Sequence, residues 1–231
     1  MSDPLQPTPP VQTVQHQILD VAAAAAKIRE FRRKIANGMT QIIPDLYLGS
    51  LRDARDEDQL KRYKIKRVVS IHKHNSYCQV HEALGINVLQ IEIDDLASCP
   101  ISEHFQQTVL FIHHSRIAKE PVLVHCMAGV SRSATIVAAY LCTITKISAF
   151  NSLAHITNLR PVVNPNFGFR LQLAQYADRE AHHRFESIKD TCDQELFDAQ
   201  LVLDNAALKH RMGFCAWMFE RIPQPPVCFL S

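Results

Sequence analysis

Apolar positions fall into short strand-like runs that alternate with longer stretches of helical spacing. Thr40-Gln-Ile-Ile-Pro-Asp-Leu-Tyr-Leu-Gly49 reads as two short strands about a Pro44-Asp45 turn. Val68-Val-Ser-Ile71 and Val122-Leu-Val124 are continuous apolar runs of strand length, and Val88-Leu-Gln-Ile-Glu-Ile93 alternates as a half-buried strand. Between them, residues 50–63 run from acidic (Asp53, Asp56, Glu57, Asp58) to basic (Lys61, Arg62), which predicts a helix complemented at both ends of its dipole. Further helices are predicted at 102–116, from Ser133 to about Thr145 with apolar residues on most sides, and from the cap residue Ser148 to about Leu159. Asn166 caps another. This alternation predicts an α/β fold: a single central, mostly parallel sheet flanked by helices on both faces.

The flanks differ. Residues 1–16 are rich in Pro, Gln and Thr and carry too little apolar surface to order themselves. From Ile18 to Ala36 helix formers dominate, and Ile28, Phe31 and Ile35 share one face, predicting a helix that packs on the domain or on a partner. A mitochondrial presequence fits this stretch less well, because Asp3, Asp20 and Glu30 interrupt it. Phe185 to Trp217 has helical tendency, and Pro223-Gln-Pro-Pro226 breaks structure near the end. The expected organisation is an extension over 1–36, disordered then helical, a central domain over 37–184, and a partly helical extension with a flexible tail over 185–231.

At 231 residues the chain is long enough for one well-cored domain plus tails. With 25 basic and 23 acidic residues the net charge is only +2, so nothing favours nucleic acid as a partner. The seven cysteines lack CxxC or zinc-finger spacing and read as reduced intracellular thiols. His72-Lys-His74 has no third ligand nearby in sequence, so no metal is expected, and no cofactor. No run is long and apolar enough to span a membrane, and Met1-Ser-Asp-Pro does not open a secretory leader, so the expected location is the cytoplasm or the nucleus.

The chemistry concentrates in Val122-Leu-Val-His-Cys-Met-Ala-Gly-Val-Ser-Arg-Ser-Ala-Thr-Ile-Val137, where a strand ends at His125-Cys126 and a helix opens at Arg132-Ser133. The backbone N–H groups of Met127, Ala128, Gly129, Val130, Ser131 and Arg132 are then free to converge on one point, which suits a dianionic phosphoryl group. At the bottom of the loop, Cys126 meets the same dipoles, and its pKa is expected to fall from about 8.5 into the roughly 3.5–7.5 range of activated cysteines. Arg132 offers a planar fork for two phosphoryl oxygens, and Gly129 lets the backbone come close. Ser133 can donate a hydrogen bond to the thiolate, whereas His125, donating to a backbone carbonyl, would support the loop rather than react. A merely structural buried cysteine would need no such loop.

His125-Cys126-Met127-Ala128-Gly129-Val130-Ser131-Arg132-Ser133 resembles the loop of the cysteine-dependent protein phosphatases, in the form found in their dual-specificity branch. Classical tyrosine-specific members usually have Gly-Arg-Thr-Gly where this chain has Ser131-Arg-Ser-Ala134, and phosphoinositide phosphatases usually carry lysines in the loop, where this chain has none. Asn37-Gly-Met-Thr-Gln-Ile-Ile-Pro44 is similar to the opening of the small atypical dual-specificity phosphatases. The Arg160-Pro and Pro165-Asn-Phe-Gly-Phe169 segment is similar to one that packs beside the phosphate loop in that family, a role Asn166 can combine with capping. The resemblance covers residues 38 to about 178 and implies a protein tyrosine phosphatase-like fold and phosphorylated proteins as substrates. It also implies a general acid on the loop after the strand ending at Ile93, where Asp95 stands 31 residues before Cys126, at the family's spacing. Adjacent Asp94 is the competitor. Phosphatases acting on lipid or nucleic-acid phosphates, and an idle phospho-binding module, are the alternative readings.

Several small atypical members are myristoylated after the initiator Met, but here the comparable Gly38 is internal, so that anchor does not carry over. Cys228-Phe-Leu-Ser231 fits the prenylation form loosely, without a polybasic run to reinforce a single lipid chain.

Overall fold

The computed structural model describes residues 38–73 and 79–212, with side chains to Lys209. The expectations for residues 1–36, His74, the segment after Met212 and Cys228 lie outside these residues. The strands are β1 (Thr40–Ile43), β2 (Leu46–Ser50), β3 (Arg67–Ile71), β4 (Asn87–Ile91) and β5 (Val122–Cys126). They form one sheet in the order β1-β2-β5-β3-β4, in which only the β1–β2 pairing is antiparallel. β5 lies in the middle with all its residues buried, as its continuous apolar run requires of a strand covered on both faces.

Side-chain alternation sorts the strands into two cores. Leu46, Leu48, Val69, Ile71, Val122 and Val124 point into the larger one, whereas Tyr47, Val68 and Leu123 point into the smaller. The large core is completed by α4 (Phe105–Ile117), α5 (Arg132–Thr145), α6 (Ala149–Leu159), α7 (Phe167–Arg179), α8 (Ala181–Thr191) and α9 (Gln194–Met212). Ala54 of α1 (Leu51–Ala54), Leu60 of α2 (Glu57–Arg62) and the partly buried Val80 of α3 (Gln79–Ala83) close the small one.

Three elements differ from expectation. The helix predicted over 50–63 is two short ones, because two caps compete within it. Ser50 and Asp53 form a capping box that starts α1, and Asp56 then takes an extended backbone and caps α2 by accepting from Gln59 N. The helix expected over 102–116 opens as a tight turn at Ile101–His104 before α4 begins. The helical stretch beyond Phe185 breaks at Cys192–Asp193, where Cys192 is extended and Asp193 Oδ1 accepts from Leu196 N at 3.0 Å. The boundary expected at 184 falls inside α8, and both α8 and α9 contribute to the large core through Phe185, Ile188, Phe197 and Leu208.

α9 is also tied in by charge. Fully buried Arg116 donates to both carboxylate oxygens of fully buried Asp204 at 2.6 and 2.5 Å, to Tyr140 Oη at 2.7 Å and to Pro44 O at 2.9 and 2.6 Å. Removing one partner strands the other charge in the core, so Asp204→Ala should cost about 3–5 kcal/mol. Replacing both partners, as in Arg116→Met with Asp204→Leu, should cost less. Urea unfolding checks this, and an Asp204→Ala midpoint equal to that of the wild type would rule out a structural role for the pair.

Candidate active site

The loop between β5 and α5 is held open by its carbonyls, which are tied outward. Met127 O accepts from Leu51 N (3.4 Å), Gly129 O from Arg160 Nε (3.1 Å), Val130 O from Asn164 N (3.0 Å), and Ser131 O from Thr135 N (2.9 Å). Within a peptide plane the N–H points opposite to the C=O, so the amides of Ala128, Val130 and Ser131 turn toward the loop centre. Gly129 carries the turn at φ +67°, and a Cβ there would lie 2.5 Å from Gly49 O, so both the backbone conformation and the close approach require glycine.

Cys126, at the end of β5, is buried beneath this ring of donors, and its Sγ accepts from Ser133 Oγ at 3.1 Å and from Gly129 N at 3.3 Å. Burial pushes the thiol up. Hydrogen bonds from the Ser133 hydroxyl and the amides of Ser133, Val130 and Ala128 outweigh it and hold Cys126 below the ordinary thiol range. Neighbouring His125 supplies no positive charge: burial, reinforced by His72 with ring centroids 5.7 Å apart, pushes its pKa down to about 3. Its Nδ1 lies 3.4 Å from Cys126 O.

Arg132 opens α5 with its side chain mostly buried; Nη1 donates to Ile93 O at 3.0 Å, and Nε lies 3.6 Å from Asp95 Oδ2. Asp95 Oδ1 accepts from Ser131 Oγ at 2.6 Å and from Asn166 Nδ2 at 2.8 Å. Asn166 thus holds two posts, since its Oδ1 also caps α7 by accepting from Phe169 N at 3.0 Å. Asp94 faces elsewhere and pairs with Lys73.

The Asp95 loop is pinned on α7. Gln172 donates to Cys99 O (2.8 Å) and accepts from Ser102 N (3.1 Å), while a Cβ on Gly168 would sit 1.9 Å from Ala97 O. Only glycine lets the loop lie that close.

Gly129 N and Ser133 Oγ thus meet Cys126 Sγ directly, while Asp95 is joined to Ser131, Asn166 and Arg132. Sequence reasoning missed Arg160, which is fully buried and joins Gly129 O to Gly38 O (3.0 Å) and Thr40 Oγ1 (3.2 Å), buttressing the loop from behind. Its only trace in the sequence is the Arg160-Pro step of the family-like segment. The sequence also gives no sign of the second task of Ser131, which is to orient Asp95. Among the described residues no three His, Cys, Asp or Glu side chains converge to hold a metal, and no helix is long and apolar enough to cross a membrane.

The five-stranded, mostly parallel sheet with this strand, loop and helix N-terminus defines a protein tyrosine phosphatase-like fold. The family profile described as dual specificity phosphatase, catalytic domain, matches residues 46–179. Dual specificity protein phosphatase 22 of Xenopus laevis is 38% identical over 174 residues, covering 74% of this chain and 81% of the relative. Dual specificity protein phosphatase 15 of Mus musculus is 40% identical over 169 residues, 70% of each chain. The crystal structure of DUSP15 superposes with a TM-score of 0.64 at 39% identity, over 68% of this chain and 98% of that one. The chain belongs to the dual specificity protein phosphatases and is a phosphatase enzyme.

Proposed function

We propose that the protein hydrolyses phosphotyrosine and phosphoserine or phosphothreonine on proteins through a phosphocysteine intermediate, with its catalytic residues within 37–184 and α8 and α9 completing the core behind them. The observation that carries this reading is Cys126 Sγ on the loop floor, accepting from Ser133 Oγ at 3.1 Å and Gly129 N at 3.3 Å under a ring of amides. The thiolate attacks phosphorus in line, forming the P–S bond as the P–O bond to the substrate breaks. Asp95 gives its proton to the leaving oxygen. The loop amides hold the equatorial oxygens; because Arg132 Nη1 is engaged by Ile93 O, the Nε–Nη2 edge is the fork offered to them. Water then attacks the phosphocysteine, Asp95 takes its proton, and the electron pair of the P–S bond returns to sulfur, where Ser133 Oγ donates to the departing thiolate.

The lysine-free loop, Met127 to Ser131, favours phosphoproteins over phosphoinositides. Turnover of phosphopeptides should exceed that of phosphoinositides, and rapid quenching with radiolabelled phosphopeptide should leave label on the peptide containing Cys126. Faster turnover of the lipid would overturn the substrate class, and label on another residue would overturn the intermediate.

A further inference from the structure

We infer that the groove on the α1 side of the phosphate loop is a second anion subsite, which takes a carboxylate or phosphoryl group carried by the substrate chain beside the residue being dephosphorylated. The inference rests on the protein phosphatase reading and narrows its substrate class to anionic sequence contexts.

Its position follows from the sheet. Ser50 at the end of β2 is in register with Cys126 at the end of β5, so the chain entering α1 leaves within one strand spacing, about 4.8 Å, of the nucleophile's backbone. Leu51 N then donates to Met127 O at 3.4 Å, which joins α1 to the phosphate loop itself. Between them lies a groove of about 590 Å³ lined by Leu51, Arg52, Arg55, Asp56 and Met127. One wall of the groove is therefore part of the loop that receives the phosphoryl group. A peptide that leaves the loop on this side carries its next side chains toward the groove lined by Arg52 and Arg55.

The charge of the groove selects what it accepts. Both guanidinium groups are exposed, and among the described residues the Arg55 side chain has no hydrogen-bond or ion-pair partner. The one acid in the lining, Asp56, is committed to capping α2: its Oδ1 accepts from Gln59 N at 3.0 Å and its Oδ2 from Gln59 Nε2 at 2.7 Å. Of the neighbouring acids, Asp53 is buried in its own capping box and Glu57 pairs with Lys61. Arg52 acts on the Asp56 carboxylate, and Arg55 is the cation the groove offers to a ligand. The opposite rim is of another character, with Leu96 and Phe167 exposed at 56% and 73% on the side of the Asp95 loop. The site is therefore asymmetric, cationic toward α1 and apolar toward α7, and a substrate chain reads a different chemistry on each side of its phosphorylated residue.

The test uses the full chain and phosphotyrosine peptides that differ only at the positions flanking the phosphotyrosine, where they carry Ala, Glu or a non-hydrolysable phosphonate analogue of phosphoserine. KM should be about twofold to fivefold lower for the Glu or phosphonate peptide than for the Ala peptide, the scale of exposed charge pairs, and the advantage should shrink as salt rises. In Arg55→Glu the preference should vanish or reverse; it is read as a ratio within each protein, so a general loss of rate cancels. A larger gain for the phosphonate would identify a second phosphoryl group as the natural ligand, and a larger gain for Glu a carboxylate. Equal KM values for the three peptides in the wild type, or a preference that survives Arg55→Glu, would overturn the subsite while leaving the phosphatase reading standing. No turnover of any peptide would overturn both.

Discussion

Cys126→Ser should abolish turnover, by at least about 10³-fold, while leaving the fold and the unfolding midpoint essentially unchanged. The effect comes from the nucleophile and not from packing. Serine is nearly isosteric with cysteine, and a hydroxyl at this position can keep the contacts now made by Ser133 Oγ and Gly129 N. Those same donors stabilise a thiolate, because the thiol ionises within reach of neutral pH and its pKa is already held low. An alcohol ionises far too weakly for the same hydrogen bonds to deprotonate it. The sign in pH follows. The reactive anion is present above the lowered pKa of Cys126 and is lost as pH falls through it, so the acidic limb of kcat/KM contributed by this group should lie below the ordinary thiol range. Steady-state hydrolysis of an aryl phosphate, with circular dichroism to verify folding, checks the variant. Retention of more than a small fraction of activity would sink the mechanism.

Asp95→Asn should slow hydrolysis of substrates with poor alkoxide leaving groups by roughly 10²–10⁴-fold, the usual reach of a positioned general acid. Asparagine keeps the side-chain shape and can still accept from Ser131 Oγ, which here lies at 2.6 Å, so the loss reports the proton and not the loop. An activated aryl ester, whose leaving group needs little protonation, should be affected far less. Asp94→Asn is the control, since Asp94 is drawn away from the loop by Lys73. If that variant produced the leaving-group pattern instead, the acid would be Asp94 and the loop would have to change register when substrate binds.

Most features that depend on near neighbours in the chain are legible in the sequence. The β1–β2 hairpin, the buried runs of β3 and β5, the Ser148 and Asn166 caps and the strand-loop-helix around Cys126 all rest on periodicity or on a side chain meeting a backbone group three residues on. Where two local rules compete, the reading fails. The charge gradient over 50–63 suits one helix, yet the Ser50–Asp53 box and the Asp56 cap each satisfy backbone groups of their own and cut it in two.

By itself, then, the sequence determined the chemistry on offer: a thiol, a guanidinium and a glycine at set intervals between a strand and a helix, which the chain's own stereochemistry folds into a ring of amides around the thiol. Which distant residues complete that ring was decided only by tertiary structure. Arg160 reaches Gly129 O across 31 residues and Asn166 reaches Asp95 across 71, just as in the core Arg116 reaches Asp204 across 88. Nothing local marks these partners, because a polar group entering a core must find a partner somewhere, and the identity of that partner depends on which elements the packed sheet brings against it. For Asp94 and Asp95, the family-like spacing favours Asp95, and the structure adds what each carboxylate meets. Adjacent and chemically alike, they meet different partners in space, Lys73 for one and Ser131, Asn166 and Arg132 for the other.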